Sequence, residues 1–287
     1  MIVKLHKLHC YGNDFLVAYR CQLEDDRYSA LARSCCDRHT GIGADGLVFL
    51  KPADQEGRFD YRIFNQDGSE AELSGNGARC ACALVHRNDW CSQDEIVLQT
   101  LCGDKTFSRL SQKDGRWRYR SSLGRPGFRP EQVPFKDTHA TRIPERILRY
   151  PLDAGGEALQ ITALSMGNPQ CQILVDCLPK GERFQRLGSA LERHQVFPQR
   201  ANVGFVQVID EHKVRAKIWE RGVGPTQSSG TGCSAAAVAA IVNGRCTSPV
   251  EVVTQSGSQK VEWSEGQEVV LTGESRYVAE IDFDWQT

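Results

Sequence analysis

The chain has 287 residues, 40% of them hydrophobic and 25% charged, with a formal net charge of −1. That length suits one large or two medium domains, and the composition is ordinary for a globular protein. A balance so close to neutral leaves no electrostatic footprint for nucleic acid. No apolar stretch reaches the roughly 20 residues a bilayer span needs, so no membrane association is expected.

The first segment, Met1-Ile2-Val3-Lys4-Leu5-His6-Lys7, alternates apolar and polar and reads as a strand, not as a signal peptide. A cytoplasmic location is therefore expected. A Gly12-Asn13 turn leads to a strand from Phe15 to Tyr19, and residues 27 to 38 have helical spacing. Gly41 to Gly46 precede an apolar strand, Leu47 to Leu50, and another is expected around Tyr61 to Phe64. The segment Ala78 to His86 carries Ala, Cys and Leu all round, which predicts a helix buried on most sides.

Strands are expected at 96–100, 105–110 and 116–121. Residues 124 to 136 hold Gly124, Pro126, Gly127, Pro130 and Pro134 and read as a linker. The cluster of arginines from Arg142 to Arg149 reads as a solvated face. Strands follow near 159–165 and 171–175, a helix near 182–193, and strands at Asn202 to Val208 and 213–219. An alanine-rich helix is expected from Cys233 to Val242, then strands at 250–254, 259–263, 268–272 and 277–283.

The twelve cysteines include no C-x-x-C pair, and Cys80 and Cys82 point apart on a helix. Neither a zinc site nor a disulfide framework is expected; most of the thiols read as small core residues.

One local pattern occurs twice. Phe64-Asn65-Gln66-Asp67-Gly68 leads to Ser74-Gly75-Asn76-Gly77, and Trp219-Glu220-Arg221-Gly222 leads to Ser229-Gly230-Thr231-Gly232. Ser74 and Ser229 are 155 residues apart, as are Asn13 and Asn168 in the two Gly-Asn turns. Two distant pairs at one offset imply two related halves, residues 1–125 and 126–287, with the last strands able to return to the first half. The chemistry is expected between them.

A helix start offers unpaired N–H groups and the positive end of the helix dipole, and glycine lets the backbone approach a ligand. Two such starts suit a carboxylate. A single Ser-Gly-x-Gly is most simply an N-cap, but the repetition and the polar residues around it favour a site. Asn13, Asn65, Asn168 and Asn202 flank turns, and Glu220-Arg221 stand where Asn65-Gln66 stand in the first half. Amides, a carboxylate and a guanidinium together form a set for ammonium and carboxylate groups. The pattern fits neither a phosphate loop nor a dinucleotide fingerprint.

Several of these segments are shared with a known family. Tyr11-Gly12-Asn13-Asp14-Phe15, Gly41-Ile42-Gly43-Ala44-Asp45, Phe64 to Glu70, Gly75-Asn76-Gly77-Ala78-Arg79, Met166-Gly167-Asn168-Pro169, Asn202-Val203-Gly204-Phe205, Glu220 to Gly224 and Gly230-Thr231-Gly232 resemble the diaminopimelate epimerases, cofactor-independent amino-acid racemases. The resemblance implies an α+β fold of two pseudo-symmetric domains, each a curved, mostly antiparallel sheet or barrel around a central helix. It implies no cofactor, no metal, and an amino-acid substrate, LL-diaminopimelate, converted to the meso form by two-base proton transfer.

In that family a cysteine precedes each Gly-x-Gly, one as thiolate base and one as thiol acid. The resemblance makes Ser74 and Ser229 the catalytic positions, with Glu220 tuning them. It makes Asn13, Asn65, Gly75, Asn76, Asn168, Asn202, Glu220, Arg221, Gly230 and Thr231 the substrate-binding set. The expectation is a chain that binds substrate but is inactive or nearly so. Two origins stay open: serines introduced to trap a ligand, or a natural relative whose activity is lost or changed. Gly46 stands where glutamine is usual and Gln170 where histidine is, which keeps open a racemase of another amino acid such as histidine, or a non-catalytic amino-acid binder. An isomerase of the phenazine-biosynthesis type shares the fold, but the Asn65 and Glu220-Arg221 motifs argue against it. The family implies a homodimer, and Ala279 in place of a usual interface tyrosine weakens that expectation.

Overall fold

The computed structural model describes residues 1–286 apart from 139 and 141. In chain order the elements are β1 (Ile2–Cys10), β2 (Asn13–Tyr19), α1 (Tyr28–Cys36), β3 (Gly46–Pro52), β4 (Arg58–Asn65), β5 (Glu70–Ala71), α2 (Gly75–Arg87), β6 (Glu95–Thr100), β7 (Gly103–Lys113) and β8 (Arg116–Ser122). Then come β9 (Tyr150–Ala154), β10 (Glu157–Ser165), β11 (Pro169–Leu174), α3 (Gly181–Glu192), β12 (Asn202–Asp210), β13 (Lys213–Glu220), β14 (Gly224–Thr226), α4 (Gly230–Val242), β15 (Val250–Thr254), β16 (Gly257–Glu262) and β17 (Val270–Asp284).

The chain forms two compact units. The first takes Met1–Ser122 and the segment from Thr272 onward; the second is Leu123–Leu271. The chain leaves the first unit three residues before the expected division at 125/126, and most of its last long strand lies in that unit, a return the sequence reading left open. That strand also corrects the sequence reading: the strands expected at 268–272 and 277–283 are one, β17, whose part from Arg276 to Asp284 pairs antiparallel with β1.

In the first unit β1 pairs with β2 antiparallel, β2 with β3 parallel, β3 with β4 antiparallel, and β4 with β6 parallel. The antiparallel run β6–β7–β8 continues the sheet, and β8 and β1 both pair with β17, closing eight strands into a ring. The period-two alternation of a strand sorts its residues to two faces. Val17, Val48, Leu50, Tyr61 and Ile63 pack inward on α2. Leu16, Leu47, Phe49 and Phe64 pack outward on α1. Every residue of α2 from Asn76 to His86 is buried, as its small apolar surface predicts.

The second unit repeats the plan. The order is β9–β10–β11–β12–β13–β15–β16, with parallel pairs at β11–β12 and β13–β15. Leu164, Val206, Ala216, Ile218, Val250 and Val252 pack on α4, while Ala163, Ile173, Val203, Phe205 and Trp219 pack on α3. The repeat holds to the residue: β1 and β10, β4 and β13, and α2 and α4 each begin and end 155 residues apart. The sequence reading missed β9 and the short β5 and β14, which contribute two to five residues each.

Nine of the twelve cysteines are buried, and Cys102 and Cys177 are exposed. Among the described residues no helix is long and apolar enough to cross a membrane.

Close packing of α3 depends on Gly188. A Cβ there would lie 2.6 Å from Cε3 and 2.7 Å from Cδ2 of Trp219. The indole cannot swing away freely, because its Nε1 donates to Glu192 Oε2 at 2.8 Å. Alanine gains about 1 kcal/mol in helix propensity, but overpacking a core costs about 1–3 kcal/mol. Gly188→Ala should therefore lower the unfolding free energy in a denaturant titration. A variant as stable as the parent would mean that the Trp219 contact is soft.

Candidate functional site

In the first unit the site is built on the start of α2. Ser74 has extended backbone angles (φ −122°, ψ 119°), and its Oγ accepts the N–H of Gly77 at 3.2 Å. The sequence reading placed the glycines ahead of a helix beginning at Ala78. Instead Gly75 and Gly77 form the first turn, because the Ser74 cap stabilises the helix from there. Gly77 must lack a side chain: a Cβ would lie 2.8 Å from Tyr61 Oη and 3.0 Å from Ile63 Cδ1. The first-turn N–H groups of Gly75 and Asn76 have no acceptor within the helix.

Asn76 Nδ2 donates to Asn13 Oδ1 at 2.8 Å, bringing the Gly12-Asn13 turn to the helix start. Asn13 Nδ2 donates to Asp45 Oδ2 at 2.6 Å. Arg38 bridges Asp14 (2.7 Å) and Asp45 (2.8 Å), and Lys7 meets Asp14 at 3.0 Å. Partial burial would raise the Asp14 carboxyl, but the hydrogen bonds from Arg38 and Lys7 outweigh it and hold the group below its ordinary range. Asn65, at the end of β4, is tied instead into its own turn: its Nδ2 donates to Ser69 Oγ at 2.9 Å. Its strand partner is Gly46, where a Cβ would lie 2.8 Å from the Phe64 carbonyl. A side chain at 46 would need the backbone around Phe64 to shift.

The second unit repeats the capping. Ser229 is extended (φ −141°, ψ 130°), and its Oγ accepts the N–H of Gly232 at 3.3 Å. Ile218 crowds Gly232 as Ile63 crowds Gly77, with a Cβ contact at 3.0 Å. Thr231 Oγ1 lies 3.5 Å from Ser229 Oγ. Asn168, just before β11, begins an amide series that continues along the strand: Gln170 Nε2 donates to Asn168 Oδ1 at 2.7 Å, and Gln172 Nε2 to Gln170 Oε1 at 3.4 Å.

Asn202 lies opposite Gln170 across the parallel β11–β12 pair. Its amide is committed on both sides, Nδ2 to the Pro169 carbonyl at 3.2 Å and Oδ1 from the Arg221 N–H at 2.9 Å. Arg221 is exposed, and its Nη1 donates to the Gln199 carbonyl at 3.0 Å. Glu220 ends β13. The turn after it is held by Glu192, a buried carboxylate that accepts from Trp219 Nε1 at 2.8 Å and from the Gly222 N–H at 2.9 Å. Burial would raise this carboxyl, but those two hydrogen bonds bring it below its ordinary range. The sequence reading missed Glu192, which sits on an amphipathic helix with nothing to set it apart.

The chain can now be set against known proteins. The family model for diaminopimelate epimerase matches residues 5–126 and 162–278. The diaminopimelate epimerase of Pelotomaculum thermopropionicum is 37% identical over 287 residues, covering 98% of this chain and 99% of that one. The enzyme of the same name from Ectopseudomonas mendocina is 40% identical over 282 residues, covering 98% of each chain.

The chain belongs to the diaminopimelate epimerase family.

Among solved structures, a PhzF-family phenazine biosynthesis protein of Bacillus anthracis superposes with a TM-score of 0.72 at 14% identity, covering 99% of this chain and 100% of that one. A hydroxyproline epimerase from Agrobacterium vitis gives 0.67 at 15% identity, covering 98% and 92%. At these identities the likeness is one of fold.

Each serine cap has a measurable weight. Ser74→Ala and Ser229→Ala should each cost about 1 kcal/mol of unfolding free energy, and threonine should recover most of it. Urea titration of the four single variants checks this. Alanine variants as stable as the parent would show that the hydroxyls do not cap.

Proposed function

We propose that this protein binds diaminopimelate and that its scaffold serves the conversion of the LL to the meso form. The observation that carries the reading is the full-length identity of 37–40% to diaminopimelate epimerases, joined to the paired Ser-capped helix starts. A two-base epimerisation removes the α-proton on one face and returns one on the other. Each unit brings one candidate position, Ser74 or Ser229, at the start of a helix whose first-turn amides suit a carboxylate gaining enediolate charge. No cofactor is needed, because the two groups and the helix fields supply the acid, the base and the stabilisation. Asn65, Asn168, Asn202 and Arg221 are proposed to hold the far amino-acid end, and Glu220 to act beside the reacting positions.

With serine in both positions we infer binding without turnover. A thiol has a pKa near 8.5, whereas an alcohol lies close to the roughly 15.7 of water. The gap is about 7 units, or about 10 kcal/mol. A helix dipole contributes at most about 2 kcal/mol, so it cannot make a serine hydroxyl the base. A thiol at the same place would be acidified by the same field.

The protein as it stands should bind diaminopimelate in calorimetry and exchange none of its α-protons in deuterated water. The double variant Ser74→Cys/Ser229→Cys should exchange them and interconvert LL and meso forms. A double variant that binds diaminopimelate but exchanges nothing would refute the assignment of these two positions. Preference for a single-centre amino acid in a thermal-shift panel would refute the substrate.

A further inference from the structure

Arg79 lies on α2 with no exposed surface, in the core of the first unit. Nε and Nη1 of its guanidinium have no acceptor, and Nη2 donates to Asn76 Oδ1. Cys10 lies close by, its Sγ 3.6 Å from that of Cys80 and 3.4 Å from the Asn76 carbonyl. Burial would raise the Cys10 thiol, but the Cys80 hydrogen bond and the Arg79 charge bring it below its ordinary value. Through Nη2 the guanidinium is joined directly to Asn76, the second residue of α2. For stability alone this is a poor arrangement, since an apolar residue of similar volume commonly replaces a buried charge at no loss.

The arrangement does something else. A guanidinium only donates and a carboxylate only accepts, whereas an amide does both. Between Arg79 and Asp45 lie two amides, and the charged ends force both to point the same way. Asn76 Oδ1 accepts the Arg79 Nη2–H, Asn76 Nδ2 donates to Asn13 Oδ1 at 2.8 Å, and Asn13 Nδ2 donates to Asp45 Oδ2 at 2.6 Å. Reversing either amide would set donor against donor or acceptor against acceptor. Asp45 is itself fixed by Arg38 at 2.8 Å and the Asp14 N–H at 3.0 Å. Each acceptor oxygen is therefore engaged by one donor, and each amide keeps a second N–H.

The second unit reaches the same end by another route. Asn168, 155 residues after Asn13, has its Oδ1 occupied by Gln170 Nε2 at 2.7 Å, so its NH2 group is likewise the part left to bind. Here the series runs through neutral amides, Gln170 and Gln172. At the position 155 residues after Arg79 stands Ser234, buried with its Oγ unpartnered. Similar amide presentation from different partners in the two halves points to the presentation as the thing required.

We propose that Arg79 is a positioning residue that, through Asn76, fixes the polarity of the Asn76 and Asn13 amides so that both offer N–H donors to a carboxylate at the start of α2. This rests on the proposed binding of diaminopimelate, and its test has one arm without that ligand. In the ligand-free arm, protein labelled with 15N in asparagine is observed by NMR. One side-chain proton each of Asn76 and Asn13 should exchange slowly with solvent, and in Arg79→Met this protection should fall at least tenfold. In the binding arm, affinity is compared for diaminopimelate and for its analogue with a carboxamide in place of the carboxylate at the reacting centre. The parent should prefer the carboxylate by about tenfold or more, as a hydrogen bond to a charged group implies. Arg79→Met should lose that preference, and Arg79→Lys should keep part of it.

A folded Arg79→Met protein with unchanged amide protection overturns the proposal, as does one with an unchanged carboxylate preference. If Arg79→Met does not fold, Asp45→Ala interrupts the relay from its exposed end. That variant should reduce the protection of Asn13, and unchanged protection overturns the proposal equally. A parent protein that binds no diaminopimelate refutes the functional reading instead, and the amide arm then decides alone.

Discussion

The unmet N–H groups at the start of an α-helix are the constraint on which the rest of this protein turns. Four donors in the first turn lack helical acceptors, and they carry the positive end of the dipole. In each unit that end emerges from a core of Ala, Cys and Val packed inside curved strands. One donor is capped by a serine, Ser74 on Gly77 or Ser229 on Gly232. The glycines that follow are as much a packing requirement as a conformational one, since Ile63 and Ile218 lie against the places where their Cβ atoms would be. The same short motif therefore meets the needs of the helix, the core and a ligand carboxylate.

That triple role explains how far the sequence could be read. The 155-residue repeat was legible because a site residue, a helix start and a turn had to keep their spacing together. The cap reading and the site reading of Ser-Gly-x-Gly were posed as alternatives, yet the serine caps the helix in each unit and holds the candidate position as well. The α+β class, the buried central helix and most strands followed from periodicity. The last strand was read as two because residues 273 to 276, Gly-Glu-Ser-Arg, look like a break. They stay extended within one strand, β17, which pairs with β1 from Arg276 onward and also with β8. The turn held by Glu192 was not legible at all: its partners Trp219 and Gly222 lie 27 and 30 residues away, and no local pattern marks a buried carboxylate.

Both units place polar groups where apolar ones would pack better. Arg79, Gln172, Gln259 and Ser234 each keep at least one buried side-chain atom without a partner. Such atoms cost about 1–3 kcal/mol each. Gln172 fills the space above Gly204, where a Cβ would lie 2.0 Å from its Oε1, so a glycine and a glutamine are fitted to one another in the strand interior. Costs of this kind gather where function overrides packing. Here Arg79 and Gln172 belong to the hydrogen-bond series that reach Asn13 and Asn168.

The account is tested most directly by a crystal structure of the unaltered protein with LL-diaminopimelate bound. It predicts one carboxylate of the ligand with oxygens about 3 Å from the first-turn amides of α2, hydrogen-bonded there and to Asn76. A ligand bound elsewhere, with the starts of both α2 and α4 contacting no carboxylate, would contradict it.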